Sequence, residues 1–186
     1  MHYTQTSIPG LWFIDPVALG DDRGYFMESF RALDFAAHIG DLAVVQENQS
    51  RSQYAVLRGL HLQKGVYAQA KLVRCVEGAV LDVAVDLRKG SPTYGHHLTV
   101  ELSSDNHRQV YIPRGFAHGF LTLTEYATLQ YKVDNVYHPE SECSIRFDDP
   151  DLGINWEQKG IEKGQFILSD RDKKGLSLKE FQHLNF

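Results

Sequence analysis

Alternation of apolar and polar residues governs the middle of this chain and leaves it little choice but short β-strands. In Val80-Leu81-Asp82-Val83-Ala84-Val85-Asp86-Leu87 the odd positions are apolar, while Asp82 and Asp86 fall on the other face. That is the two-residue period a strand imposes on its side chains. His97-Leu98-Thr99-Val100-Glu101-Leu102 and Thr128-Leu129-Gln130-Tyr131-Lys132-Val133-Asp134 repeat it. Turn formers separate these runs: Lys89-Gly90-Ser91-Pro92, Ser103-Ser104-Asp105-Asn106 and Pro113-Arg114-Gly115. Such spacing predicts an all-β jelly-roll barrel or sandwich. Helical spacing is confined to two short flanking segments. Residues 30–39 carry Phe30, Leu33, Ala36 and Ala37 on one face and stop at Gly40, and a second segment runs from Leu178 through Phe181 to Leu184. No repeat, low-complexity tract or linker interrupts the chain, so residues 1–186 are expected to form one domain.

The same alternation places two polar side chains where apolar ones are expected. Tyr131 shares a face with Leu129 and Val133, and Lys71 shares one with Val73 and Cys75. An ammonium or phenol pointing into a barrel needs partners there, because an unpaired buried polar group is costly. A snorkelling lysine and a satisfied core tyrosine are the plain alternatives.

Charge and cysteine content narrow the classes further. A net charge of -5 argues against nucleic acid as partner, although local Arg and Lys clusters can still bind a nucleotide-sized anion. Cys75 and Cys143 form no CxxC pair and read as buried thiols in a reducing compartment. No apolar run approaches the ~20 residues that cross a bilayer. The N-terminal residues lack a charged, apolar leader pattern, so the expectation is a cytoplasmic protein with no membrane partner.

One histidine stands out. Arg58-Gly59-Leu60-His61 is followed ten residues later by Lys71-Leu72-Val73-Arg74, which sets a single imidazole among cations. That suits proton transfer, whereas metal sites need several convergent ligands. Pro113-Arg114-Gly115-Phe116-Ala117-His118 resembles the PxGxxH half of the cupin pattern, but His61-Leu62-Gln63 stands where metal-binding cupins carry HxH. His96 and His97, adjacent on an expected strand, would point to opposite faces and add no third ligand.

An ordered series of motifs then resembles one family, the metal-free cupin nucleotide-sugar epimerases of the dTDP-4-dehydrorhamnose 3,5-epimerase type. It runs from Gly20-Asp21-Asp22-Arg23-Gly24-Tyr25-Phe26-Met27-Glu28-Ser29 and Val45-Gln46-Glu47-Asn48 through the Arg58 and Lys71 segments. It continues with Asp82 to Arg88, Ser91-Pro92-Thr93-Tyr94-Gly95, Ile112 to Phe120 and Tyr131-Lys132. Ile154-Asn155-Trp156 and Leu168-Ser169-Asp170-Arg171-Asp172 complete it. Phe147, Glu157 and Arg171 depart from the family's commoner Trp, Pro and Lys. Arg for Lys bears on phosphate contact, since the two cations are not interchangeable there.

The resemblance implies a cupin-type barrel with no cofactor and no metal. It implies a dTDP-sugar substrate whose C3 and C5 protons both lie α to a 4-keto group, and a product destined for dTDP-L-rhamnose. His61 then resembles the general base and Asp172 its carboxylate partner, with Asp170 the competing candidate. Tyr131 resembles the acid on the opposite ring face, Lys71 the cation at the enolate oxygen, and His118 a second sugar contact. Arg23, Arg58 and Arg171 would meet the diphosphate. Gln46, Asn48 and Glu28 would bond base or deoxyribose, and Tyr137, with Glu142 nearby, would stack on the base. The segment of Arg23, Phe26 and Glu28 would reach a neighbouring subunit of a homodimer. A C3-only epimerase and a 3,4-ketoisomerase are the alternatives.

Overall fold

A computed structural model describes residues 1–184. The strands are β1 (His2–Gln5), β2 (Trp12–Asp15), β3 (Ala18–Asp21), β4 (Gly24–Met27), β5 (Gln46–Gln53), β6 (Leu57–Gln63) and β7 (Lys71–Glu77). They continue as β8 (Ala79–Asp86), β9 (His97–Ser103), β10 (Gln109–Ile112), β11 (Phe116–Thr122), β12 (Tyr126–Val133) and β13 (Glu142–Ser144). Two short helices, α1 (Ala32–His38) and α2 (Leu178–Gln182), flank them. One sheet has the order β1-β2-β10-β7-β12-β5, the other β13-β6-β11-β8-β9, and β3 pairs with β4 as a separate hairpin. All pairings between these strands are antiparallel. The two large sheets face each other as a cupin-like jelly-roll sandwich, in keeping with the all-β expectation.

Two apolar layers explain why this sandwich closes. Between the sheets, Val73, Cys75 and Leu129 of one meet Val80, Ala84, Leu102 and Phe120 of the other. On the far side of the five-stranded sheet, Leu81, Val83, Val85 and Leu121 pack under Phe147, Trp156, Ile161 and Phe181 from the C-terminal part of the chain. Each fully buried side chain of this size contributes about 1.5–3 kcal/mol through the water it sheds. The alternation in β8 therefore does not divide buried from solvated. All eight residues of the strand are buried, because its odd face lies under the C-terminal segment and its even face looks into the space between the sheets. Asp82 and Asp86 are tolerated inside because each is partnered, Asp82 by His118 and Asp86 by Arg88, Ser91 and Thr93.

Two expectations are corrected. In α1 the buried residue is Phe35, seated against Ile14 and Leu72 on the outer face of the six-stranded sheet, while Leu33 is 81% exposed. Seven residues make only two turns, too short for the broad apolar stripe that the spacing suggested. His96 precedes β9 in a turn, where its amide bonds to Thr93, so His96 and His97 are not neighbours on one strand. At the chain's end, Ser177 and Glu180 cap α2 reciprocally and Phe181 anchors it in the core.

β6 holds an irregularity that shapes the site. His61 pairs with His118 and Arg58 with Phe120, so three steps along β6 match two along β11. One extra residue is thus accommodated in β6, at Gly59-Leu60. Gly59 has φ 124°, and a Cβ there would lie 2.5 Å from the Cα of Gly119. Only glycine on both strands permits this approach.

Candidate active site

A cavity of about 580 Å³ opens between the sheets, and both walls furnish its chemistry. The five-stranded sheet contributes Arg58, His61 and Gln63 from β6 and His118 from β11. The six-stranded sheet contributes Lys71, Leu129 and Tyr131, with Gln46, Asn48 and Ser50 from the edge strand β5. Tyr137, Glu142, Ser169, Arg171 and Asp172 close the rim.

Asp172 reaches β6 from a short 3-10 turn. Its Oδ1 lies 2.7 Å from Nε2 of His61, off the line of the ring N–H. The same carboxylate accepts from the hydroxyl of Ser169 at 2.5 Å and from the backbone N–H of Gly59 at 3.2 Å. Burial pushes the Asp172 carboxyl upward, but the imidazole of His61, the Ser169 hydroxyl and the Gly59 amide outweigh it and hold the group at about 2. It is therefore anionic at neutral pH. Asp170, the rival from sequence, is 91% exposed at its side chain and lies toward Lys173.

Lys71 projects from the opposite wall and forms no ion pair or hydrogen bond through its ammonium with a described residue. Desolvation lowers its pKa to about 8, against the pull of the Asp82 and Glu142 charges. Tyr131, opposite Asn48 and Val73 in register, has its phenol pushed up by burial, with Arg58 opposing. Its protonated form is thereby favoured. His118 lies beside His61 and puts Nε2 at 2.8 Å from Oδ2 of Asp82, whose other oxygen has no hydrogen-bond partner among the described residues.

The rim is a charged bridge. Glu142 accepts from the Tyr137 hydroxyl at 2.8 Å and from the Arg171 guanidinium. The hydrogen bond to Glu142 raises the Tyr137 phenol's pKa. Arg58 donates to Ser52 at 3.0 Å, and the Gln46 amide donates to Asn48 at 2.7 Å.

Arg23, Phe26 and Glu28 are not brought to this cavity. They lie on or just after the β3–β4 hairpin, with Arg23 paired to Asp21, Glu28 to Arg31, and Phe26 72% exposed. Conversely, Gln63, Gln69, Ser50, Ser169 and Asp82 had not been singled out as site residues. The first four line the cavity and Asp82 backs His118. Gln63 sits two residues beyond His61, so the strand period alone places both on one face. Among the described residues no group of three or more His, Cys, Asp or Glu side chains is placed to hold a metal ion.

With an imidazole–carboxylate pair on one wall and a phenol and an ammonium on the other, a flat ligand between them meets proton-transfer groups from both sides. A cation stands by for a developing oxyanion.

Comparison with known proteins points the same way. A family model described as dTDP-4-dehydrorhamnose 3,5-epimerase matches residues 5–180. The dTDP-4-dehydrorhamnose 3,5-epimerase of Escherichia coli strain K12 is 47% identical over 185 residues, covering 99% of this chain and 98% of that protein. The crystal structure of the enzyme of that name from Elizabethkingia anophelis superposes with a TM-score of 0.92 at 48% identity, over 97% of each chain. The dTDP-6-deoxy-D-glucose-3,5-epimerase of Legionella pneumophila, solved with dTDP-4-keto-L-rhamnose, gives 0.90 at 46% identity, over 96% of this chain and 93% of that one.

Proposed function

The chain belongs to the dTDP-4-dehydrorhamnose 3,5-epimerase family, and from that premise we propose how its cavity divides the work of the reaction. The protein is an isomerase that inverts C3 and C5 of dTDP-4-dehydro-6-deoxy-D-glucose, giving dTDP-4-dehydro-L-rhamnose for dTDP-L-rhamnose synthesis. His61 takes a proton from carbon. The C–H electrons move into the 4-keto group, whose oxygen becomes an enolate held by the Lys71 ammonium. The Asp172 carboxylate stabilises the imidazolium that forms. Tyr131 then gives its proton to the same carbon from the opposite face, the electron pair returns from oxygen, and the centre is inverted.

The observation that carries this reading is the placement of His61 with Asp172 on one wall and Lys71 with Tyr131 on the other. No cofactor enters these steps. Arg58 and Arg171 serve the diphosphate, Tyr137 stacks on the base beside Glu142, Gln46 and Asn48 bond the nucleoside, and His118 meets the sugar. Residues 1–186 act as one cupin-like domain in the cytoplasm, as a homodimer in which the hairpin of Arg23, Phe26 and Glu28 completes the neighbour's nucleotide site. Exposed Leu19, Tyr25 and Phe26 support that role. Neither nucleic acid nor membrane is a partner, and no helix among the described residues is long and apolar enough to cross a bilayer.

Incubation with the substrate in D₂O, followed by NMR, tests the scheme. Deuterium should replace hydrogen at both C3 and C5. Exchange at C3 alone would make the protein a C3-epimerase, and a migrated carbonyl after borohydride trapping a 3,4-ketoisomerase.

A further inference from the structure

Gln63 follows His61 on the inner face of β6 and is 5% exposed, yet both N–H groups of its amide are already spent within the protein. Its Nε2 donates to the carbonyls of Tyr67 at 2.7 Å and Val136 at 3.0 Å, while its Oε1 accepts from the backbone N–H of His138 at 2.6 Å. Two of those groups belong to the residues on either side of Tyr137. The amide of Tyr137 itself donates to Oε1 of Gln46 at 3.1 Å, from the opposite sheet. The peptide carrying Tyr137 is therefore held from both walls, while the residue as a whole stays 49% exposed at the rim.

The surrounding loops are tied in the same way. Asn135 donates to the carbonyls of Val66 and Ala68 at 2.8 and 3.3 Å, Gln69 donates to that of Asn135 at 2.7 Å, and the Tyr67 and His138 rings stack at 3.7 Å. Residues 65–69 and 135–138 are thus tied to one another, and Gln63 anchors both to the strand that bears His61.

We propose that Gln63 is a positioning residue: its amide brackets Tyr137 and fixes that ring at the rim in the pose that receives the nucleotide base. The inference rests on the reading of Tyr137 given above. A pre-set ring spares the ordering cost of binding, so Gln63 acts on nucleotide affinity and not on proton transfer. Gln63→Glu keeps the shape but cannot donate to the two carbonyls, and Gln63→Met removes the amide without adding charge.

In both variants dTDP affinity measured by calorimetry should fall about tenfold, the weight of one or two hydrogen bonds. KM should rise alongside while kcat stays within about twofold. Placed in a Tyr137→Ala background, Gln63→Met should cost no further dTDP affinity. A fall in kcat at unchanged KM, additive losses in the double variant, or failure of both Gln63 variants to fold would overturn the proposal. If Tyr137→Ala weakens dTDP binding and the Gln63 variants do not, the bracket alone is wrong. If Tyr137→Ala binds dTDP as the parent does, the stacking reading falls and the bracket with it.

Discussion

Arg58 and His61 lie three residues apart on one strand and still face the same cavity. A regular strand would send them to opposite faces. The extra residue accommodated at Gly59-Leu60, where β6 slips against β11, turns both inward, so that guanidinium and imidazole line one cavity. A bulge that aims two side chains at one ligand, placed next to the groups that do the chemistry, is a device of the site and not an irregularity of the sheet.

Gly59 is accordingly a position where a methyl group should do harm. Alanine there meets both a left-handed φ of 124° and the Gly119 backbone 2.5 Å away. Gly59→Ala is expected to destabilise the protein by about 2–3 kcal/mol. For a chain of this size that lowers the melting temperature by roughly 4–12 °C. Thermal unfolding checks it, and a melting temperature equal to that of the parent would refute the account of the bulge.

Removing the base should silence both carbons together. In His61→Ala and Asp172→Asn the NMR signals of C3-H and C5-H in D₂O should persist, with rates lowered about 10²–10⁴-fold, the usual weight of general acid–base catalysis. Asp170→Asn, at the exposed neighbour, should exchange like the parent. Wild-type exchange in His61→Ala would mean that another group is the base.

Lys71 predicts a pH dependence of defined sign. Its folded pKa of about 8 lies below the ordinary 10.5, so the ammonium is present below pH 8 and disappears above it. Hence kcat/KM should fall on the alkaline side with an apparent pKa near 8. The opposite holds for stability: burying the charged form is unfavourable, so this group's penalty eases as pH rises from about 8 to 10.5. Lys71→Arg, which stays charged, should move the alkaline limb upward, and Lys71→Met should lose about 10²–10³ in rate. A pH–rate profile unchanged by Lys71→Arg would remove Lys71 from the mechanism.

Tyr131→Phe separates proton removal from inversion. Wash-in of deuterium at C3 should survive better than completed inversion at C5, because His61 can still take and return a proton on its own face. Product configuration by NMR checks this. If Tyr131→Phe yields the fully inverted sugar at the parent rate, the opposite-face acid lies elsewhere.

The strands were legible because period-two alternation is local, and so were the inward Lys71 and Tyr131, which follow from Val73 and Leu129 by counting. α1 was found, but its buried residue was misjudged: in two turns the docked stripe is set by where the helix meets Ile14 and Leu72, a contact between distant parts of the chain. That both faces of β8 are buried was not legible, because nothing local reveals that Phe147, Trp156 and Phe181 return to cover its odd face. Gln63 was passed over for want of a second histidine, since its role depends on backbone groups of Tyr67, Val136 and His138 that only folding brings near.

By itself, then, the sequence determined the strand period, the turns, the inventory of groups able to move protons, and through its ordered motifs the family. Each of these is a property of neighbours along the chain. Tertiary structure alone decided that Asp82 stands behind His118 and that Arg58 turns to the wall of His61, and it set Asp172, the partner the motif favoured over Asp170, at His61. Those pairings join residues up to 111 positions apart, and a bulge resets the count between two of them. Their distances depend on how two sheets close on one another, which no local period encodes.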